Sequence, residues 1–172
     1  HELTPFLINE LPESSDIVDL WMYGGFPDAF LKQEYWLRWM NNFVKTYLER
    51  DLPNLGFPAD SITGERLWTM LAHYHGNLIN YAEIGRSLEL NINTIKTYIG
   101  FLRNAFLVHV LEPFHINAKK RLVKSPKIYI RDSGIMHYLS GIENSTQLQG
   151  HPKKGASWEG FVMEQIIPLL PP

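Results

Sequence analysis

Between residues 80 and 131 the hydrophobic period changes from helical to strand-like, and this switch limits the folds open to the 172-residue chain. Asn80 is placed to cap a helix and Glu83 to reach back to the cap, while Ile84 and Leu88 mark one apolar face. This helix ends near Glu89. After the turn Leu90-Asn91, with Asn91 as a second cap, Ile95, Tyr98, Ile99 and Leu102 repeat at spacings of three and four over a second helix. From Phe106 to Leu111 the pattern becomes a β-branched, apolar run stopped by Pro113, and Lys127 to Arg131 alternates as a second strand. A helix over 62–75, with Leu67, Met70, Leu71 and Tyr74 on one side and Gly76-Asn77 as its stop, supplies the first of three helices. Three helices joined to a hairpin are the outline of a winged helix-turn-helix.

The charges on that outline point to an anionic partner. Lys119, Lys120, Arg121, Lys124 and Lys127 lie between or at the edges of the two strands with no acid among them, and the second helix shows Asn93, Lys96, Thr97, Gly100 and Arg103 on its other face. Amides and hydroxyls bond to phosphates and base edges, and long cations follow a phosphate backbone and release counterions. Lys96, Arg103, Lys119, Lys120, Arg121, Lys124 and Lys127 are therefore the expected nucleic-acid-binding set. Against this, lysine and arginine favour any surface, and the second helix is thinly charged. So one-sided a run in a chain of formal net charge -2 favours the functional reading. The near-neutral balance argues against coating nucleic acid or membrane with the whole surface and leaves the wing as the patch that meets an anion.

The composition, 45% hydrophobic and 20% charged, is that of a soluble chain with one large or two small domains. No apolar stretch reaches bilayer length and no basic-then-apolar leader opens the chain, so no membrane partner is expected and the cytoplasm is the default location. The absence of cysteine excludes disulfides, thiolate metal ligands and a cysteine nucleophile. A start at His1 without methionine and an end at Pro171-Pro172 point to a fragment of a longer polypeptide.

Three segments are expected, 1–57, 58–131 and 132–172, in a mostly α chain of the α+β class. In the first, Gly24-Gly25-Phe26-Pro27 is a tight punctuation with Pro27 opening a helix; it lacks the Lys-Ser or Lys-Thr end, or the third glycine, that a nucleotide loop needs. The strongest helix runs from Gln33 to Asp51, with Trp36, Met40, Phe43 and Tyr47 flanked by Leu37, Val44 and Leu48 as a core stripe, and Leu52-Pro53 ends it. Arg50 and Asp51 are placed to form an ion pair or simply to face solvent. His73 and His75, two apart on a helix, point in nearly opposite directions, so no metal site is assigned to them. In the third segment Asp132 caps a helix reaching about Ser140, a loop runs from Asn144 to Gly155, and Ser157 caps the last helix. There Glu159 shares a face with Val162, Met163 and Ile166, where a carboxylate must be paired, protonated or solvated; the alternative is an exposed residue favoured by the helix dipole.

The runs Gly24-Gly25-Phe26-Pro27, Thr46-Tyr47-Leu48-Glu49-Arg50-Asp51, Leu71-Ala72-His73, Lys120 to Lys127, Tyr129-Ile130-Arg131-Asp132-Ser133-Gly134 and Gly155-Ala156-Ser157-Trp158-Glu159-Gly160-Phe161 together resemble the C-terminal half of bacterial AAA-type ATP-binding proteins. In that family a P-loop ATPase core precedes a domain of unknown function. The resemblance implies a helical lid-like segment in 1–57, the winged helix-turn-helix in 58–131, and in 132–172 the start of an incomplete restriction-endonuclease-like α/β domain. It implies that ATP and magnesium belong to the parent protein and that no cofactor belongs to this segment. Glu159 matches the helix glutamate of the nuclease-like fold and is the one catalytic candidate, with its partner acids expected past Pro172. The leading expectation is a non-catalytic accessory module that binds DNA. Its alternatives are a protein-interaction module packing on the ATPase core of the same polypeptide or another partner, and part of a metal-dependent nuclease. A homo-oligomer is left open.

Overall fold

A computed structural model of the chain describes residues 5–113 and 125–170. Lys119, Lys120, Arg121 and Lys124, the tip of the expected wing, lie outside the described residues. The backbone is mostly helical with a small three-stranded antiparallel sheet. It divides into two compact units, one formed by residues 1–47 and 131–172 and the other by 48–130. The N-terminal and C-terminal segments, expected apart, thus share one unit.

The first unit begins where the Asp16 carboxylate accepts the Val18 amide and opens α1 (Ile17–Tyr23), which buries Leu20, Trp21 and Met22. Pro27 starts α2 (Pro27–Leu31), since its fixed φ and missing N–H suit a first turn. A 3-10 turn over Gln33–Tyr35 leads into α3 (Trp36–Thr46). Its buried residues, Trp36, Met40 and Val44, recur every four positions, and the Trp36 indole donates to the Tyr23 carbonyl at 3.0 Å. Two sequence expectations need correction here. Leu37 is exposed, and Phe43 and Tyr47 are half-buried in a ladder of rings with Phe26 and Trp39, so the stripe is narrower than an all-core reading requires. Nor does the helical path stop at Asp51: a π turn (Tyr47–Asp51) continues into α4 (Leu52–Asn54). The wider turn opens the hydrogen-bond ladder ahead of Pro53, whose ring and missing N–H do not suit an unbroken α-helix.

In the second unit Asp60 caps α5 (Ser61–Tyr74) through the Thr63 amide and hydroxyl, at 2.9 and 2.7 Å. This helix buries Leu67, Trp68, Leu71 and Ala72. Strand β1 (Asn77–Leu78) follows, then α6 (Tyr81–Leu88), α7 (Ile92–Asn104), β2 (Val108–Leu111) and β3 (Lys127–Ile130). The strand order is β1-β3-β2, with Asn77 opposite Ile128 on one side and Val108 and Val110 opposite Ile130 and Ile128 on the other. The alternating pattern expected for β3 implied one solvated face. Instead Ile128, Tyr129 and Ile130 are all buried, because the strand is central and covered on both faces. Tyr129 meets the His75 ring edge-on at 5.3 Å, and His75 Nδ1 accepts the Ile130 amide at 3.0 Å. Strand β2 starts two residues later than expected, since Phe106 takes a left-handed conformation.

The chain returns to the first unit at Arg131. Asp132 caps α8 (Ser133–Leu139), Asn144 caps α9 (Ser145–Gly150), and α10 (Lys154–Ile166) follows. The stretch expected as a continuous loop therefore contains a helix, for which Asn144 supplied the cap signal. Ser157 is not the cap of the last helix but a buried residue inside it, because the helix begins three residues earlier. A Cβ on Gly134 would sit 2.7 Å from both the Tyr23 carbonyl carbon and Met40 Cε, so a residue without a side chain lets α8 pass against α1 and α3. Among the described residues no helix is long and apolar enough to cross a membrane.

Candidate nucleic-acid interface

The corner between α6 and α7 is built from caps and one close backbone approach. Asn80 Oδ1 accepts the Glu83 amide at 3.1 Å, as the sequence predicts, but the Glu83 carboxylate bonds to the Asn80 side-chain amide at 3.3 Å and the Tyr74 hydroxyl at 2.6 Å. Burial, with the Glu83 carboxylate second, pushes the Tyr74 hydroxyl up to about 12. At the far end of α6 the Leu90 amide donates to the Gly85 carbonyl at 2.8 Å, and the Asn91 side chain accepts the Thr94 amide at 2.8 Å to open α7. A Cβ on Gly85 would lie 2.6 Å from the Leu90 carbonyl oxygen, so this glycine sets how tightly the turn folds back on α6. Ile84, Leu88, Ile95, Ile99 and Leu102 lock the corner from inside.

Turned away from that core, α7 presents Asn93, Lys96, Thr97 and Arg103 to solvent. Lys96 and Arg103 are seven residues apart, two helical turns, which aligns them along one side at a rise of roughly 10 Å. The Lys96 ammonium sits 5.4 Å from the centre of the Tyr81 ring, an arrangement that steadies a cation without neutralising it. Burial raises the Tyr81 hydroxyl above its ordinary range, and Glu112 adds to the effect. The Thr97 hydroxyl bonds back to the Asn93 carbonyl at 3.0 Å. Lys127 is half-buried at the start of the central strand, opposite Leu78 and Leu111. Of the expected basic set, Lys96 and Arg103 thus lie on one helix side and Lys127 on the sheet; the remaining four are outside the described residues.

The first unit holds a second concentration of chemistry, which the sequence pattern did not reveal. Asp132 is buried, and its two carboxylate oxygens accept the amides of Gly25 and Ile135 at 2.8 Å each. Burial pushes its carboxyl up to about 6 despite those bonds. The neighbouring Arg131, expected to end a strand, instead pairs with Glu164 at 3.2 Å with both side chains nearly buried. His137 Nδ1 lies 2.9 Å from the Met22 carbonyl, which can only accept, so this nitrogen carries the proton. That leaves His137 Nε2 to accept from the Ser157 hydroxyl at 2.6 Å, while the Ser157 oxygen accepts the Trp21 indole at 2.9 Å. Desolvation lowers His137 to about 4. Ser157 and His137 are 1% and 0% exposed, so this serine–histidine contact is a sealed structural relay with no room for a substrate. Glu159 is exposed on α10 and is not aimed along a buried stripe. Among the described residues no three histidine, aspartate or glutamate side chains gather as a metal cluster.

A family model described as a domain of unknown function, DUF8612, matches residues 14–146, and the chain belongs to that family. Uncharacterized proteins of Mycobacterium bovis (Mb2031c) and Mycobacterium tuberculosis (Rv2008c) are each 46% identical to the chain over 155 residues. The match covers 89% of this chain and 35% of each relative, so the chain spans about a third of the length of these relatives. No solved structure matches it.

Proposed function

We propose that this DUF8612 domain is a non-catalytic accessory module of a larger AAA-type ATPase, and that its second unit is a winged helix-turn-helix that grips DNA through α7 and the basic segment between β2 and β3. The observation that carries the reading is the outer side of α7. Asn93, Lys96, Thr97 and Arg103 are exposed together on a helix whose sequence contains no acid, and the corner behind them is fixed by caps and by the Gly85 approach. A rigid helix bearing amides, a hydroxyl and aligned cations suits phosphate contacts with base edges in reach. The AAA-type assignment rests on the motif resemblance; relatives nearly three times as long as the matched segment leave room for an ATPase core. ATP and magnesium would be bound by that core.

The test is a salt titration of DNA binding by fluorescence anisotropy. Each phosphate contact removed should flatten the slope of log affinity against log salt by about 1. Lys96→Ala and Arg103→Ala are each expected to do so, and replacing Lys119, Lys120 and Arg121 together by Ala should flatten it further. An unchanged slope in all three variants rejects the DNA reading.

A protein-binding reading is favoured by one observation: Lys96 already rests on Tyr81, a residue that feels Glu112, and Glu83 and Glu89 flank the corner, so the face carries both signs of charge. Co-purification of the module with the parent's ATPase portion, lost in Lys96→Ala, together with no retardation of DNA, decides for this alternative.

A further inference from the structure

Residues 5–11 cross the first unit as a strap. The Phe6 amide donates to the Gly25 carbonyl at 2.8 Å, the Ile8 amide donates to Gln165 Oε1 at 2.7 Å, and the Phe6 ring meets Phe30 edge-on at 6.2 Å. Its short 3-10 turn (Ile8–Glu10) buries no residue, and Pro5, Phe6 and Leu7 are only half-buried. A segment with little buried surface can open while the rest of its unit stays folded. A Cβ on Gly25 would fall 2.7 Å from both the Phe6 nitrogen and Pro5 Cβ, so the strap lies directly on this glycine.

The strap residues Pro5, Phe6 and Leu7, together with Arg131, Asp132 and Glu164, line a cavity of about 20 Å³, which admits about one water and no larger ligand. Gly25 joins strap and cavity: its carbonyl accepts the Phe6 amide, and its own amide donates to Asp132 Oδ2 at 2.8 Å. The charged groups around the Asp132 carboxyl are the paired Arg131 and Glu164. From α1 the cavity receives Leu20, and the strap's own acid, Glu10, is turned back onto the Leu7 amide at 2.8 Å. His137, further along α8, faces the Met22 carbonyl and Ser157. An ionised Asp132 would therefore set two carboxylates against one guanidinium in a space closed to bulk water, which is unfavourable. Burial holds its carboxyl at about 6 under the closed strap, against an ordinary value of 3.8 once water reaches it. A proton bound more tightly by the closed form favours closure at low pH, and its loss as pH rises through about 6 favours opening.

We infer that residues 5–11 form a proton-controlled strap, closed over the Arg131–Asp132–Glu164 cavity when Asp132 is protonated and released when it ionises. The test is hydrogen exchange of the Phe6 and Ile8 amides in the full chain, corrected for the intrinsic pH dependence of exchange. Strap opening in the wild type should increase about tenfold between about pH 5 and 7, the ratio that follows from carboxyl values of about 6 closed and 3.8 open. At every pH these two amides should be less protected than those of α3; equal protection would mean that the unit unfolds as a whole, and overturns the inference. Asp132→Asn removes the titrating proton and should make strap opening independent of pH over the same range. Phe6→Ala removes the ring contact with Phe30, keeps every cavity charge, and tests the reciprocal effect. In that variant the strap should open more at every pH, and the Asp132 carboxyl, followed by NMR, should titrate at lower pH than in the wild type. Wild-type opening that does not change with pH overturns the inference, as does an Asp132→Asn variant that keeps the wild-type dependence. So does a Phe6→Ala variant whose Asp132 titrates as in the wild type, a readout that stands even where Asp132→Asn fails to fold.

Discussion

Two buried groups in the first unit should hide each other's pH dependence, and separating them tests the account of this core. His137 is lowered from 6.5 to about 4 by burial, so it contributes stability that is present above pH 6.5 and is lost as pH falls through about 4. At about 1.36 kcal/mol per pH unit, the loss amounts to about 3 kcal/mol. Asp132 is raised from 3.8 to about 6, so its contribution has the opposite sign: it is fully present below 3.8 and is lost as pH rises through about 6, again by about 3 kcal/mol. Across the interval the two nearly cancel. Asp132→Asn leaves His137 uncompensated. Relative to the wild type, which gains the Asp132 contribution over this range, it should lose about 3 kcal/mol of stability as pH falls from 6.5 to 4, beyond a constant loss of about 1 kcal/mol for one of the two amide bonds to the carboxylate. His137→Gln should do the reverse and gain stability over the same range. Urea unfolding followed by circular dichroism at several pH values reads both slopes, and differences from the wild type remove the contribution of surface groups. Parallel curves for Asp132→Asn and wild type would refute the reasoning, since the carboxyl would then titrate as a solvated group does.

Other perturbations probe the close approaches. Gly85→Ala must push the Leu90 carbonyl from a 2.6 Å contact and should lower stability by about 1–3 kcal/mol, whereas Gly100→Ala, in the middle of α7 with open space around it, should raise stability by about 0.5–1 kcal/mol; thermal unfolding distinguishes the two signs. Gly134→Ala, meeting the Tyr23 carbonyl, should destabilise the first unit at least as much as Gly85→Ala does the second, seen as faster amide exchange in α8. If Gly134→Ala leaves exchange unchanged, α8 does not pack as tightly on α1 and α3 as the structure indicates.

The helices of the second unit were legible because each carries its own local signal. Asn80 and Asn91 cap where the sequence places them, as Asp132 does in the first unit, and the buried Ile95, Ile99 and Leu102 follow the expected period. What escaped was set by distant partners. Nothing in Lys127 to Ile130 says that a two-residue strand will cover its second edge, and nothing in Ser157 says that a histidine twenty positions earlier and a tryptophan near the N-terminus will claim its hydroxyl. Phe106 escaped for a different reason: its type argues for a strand, and its place after α7 argues for a glycine.

The motifs that carried the family resemblance acquire a physical meaning from this. Gly24-Gly25, Arg131-Asp132-Ser133-Gly134 and the run around Ser157 lie far apart in sequence, yet they meet in the first unit. The Gly25 amide bonds to Asp132, a Cβ on Gly24 would press on the same carboxylate at 2.7 Å, Gly134 makes room for the Tyr23 carbonyl, and Ser157 closes the relay from His137 to Trp21. Each residue is accounted for by packing or by a buried hydrogen bond, so a motif match at these positions reports the architecture of the unit. The candidate interface lies elsewhere, on the exposed side of α7, where Asn93, Lys96, Thr97 and Arg103 face solvent. Substitutions in the Gly25–Asp132 contact should therefore lower the stability of the first unit. Those at Lys96 and Arg103, exposed on α7, should leave stability unchanged and alter only the binding proposed for that helix.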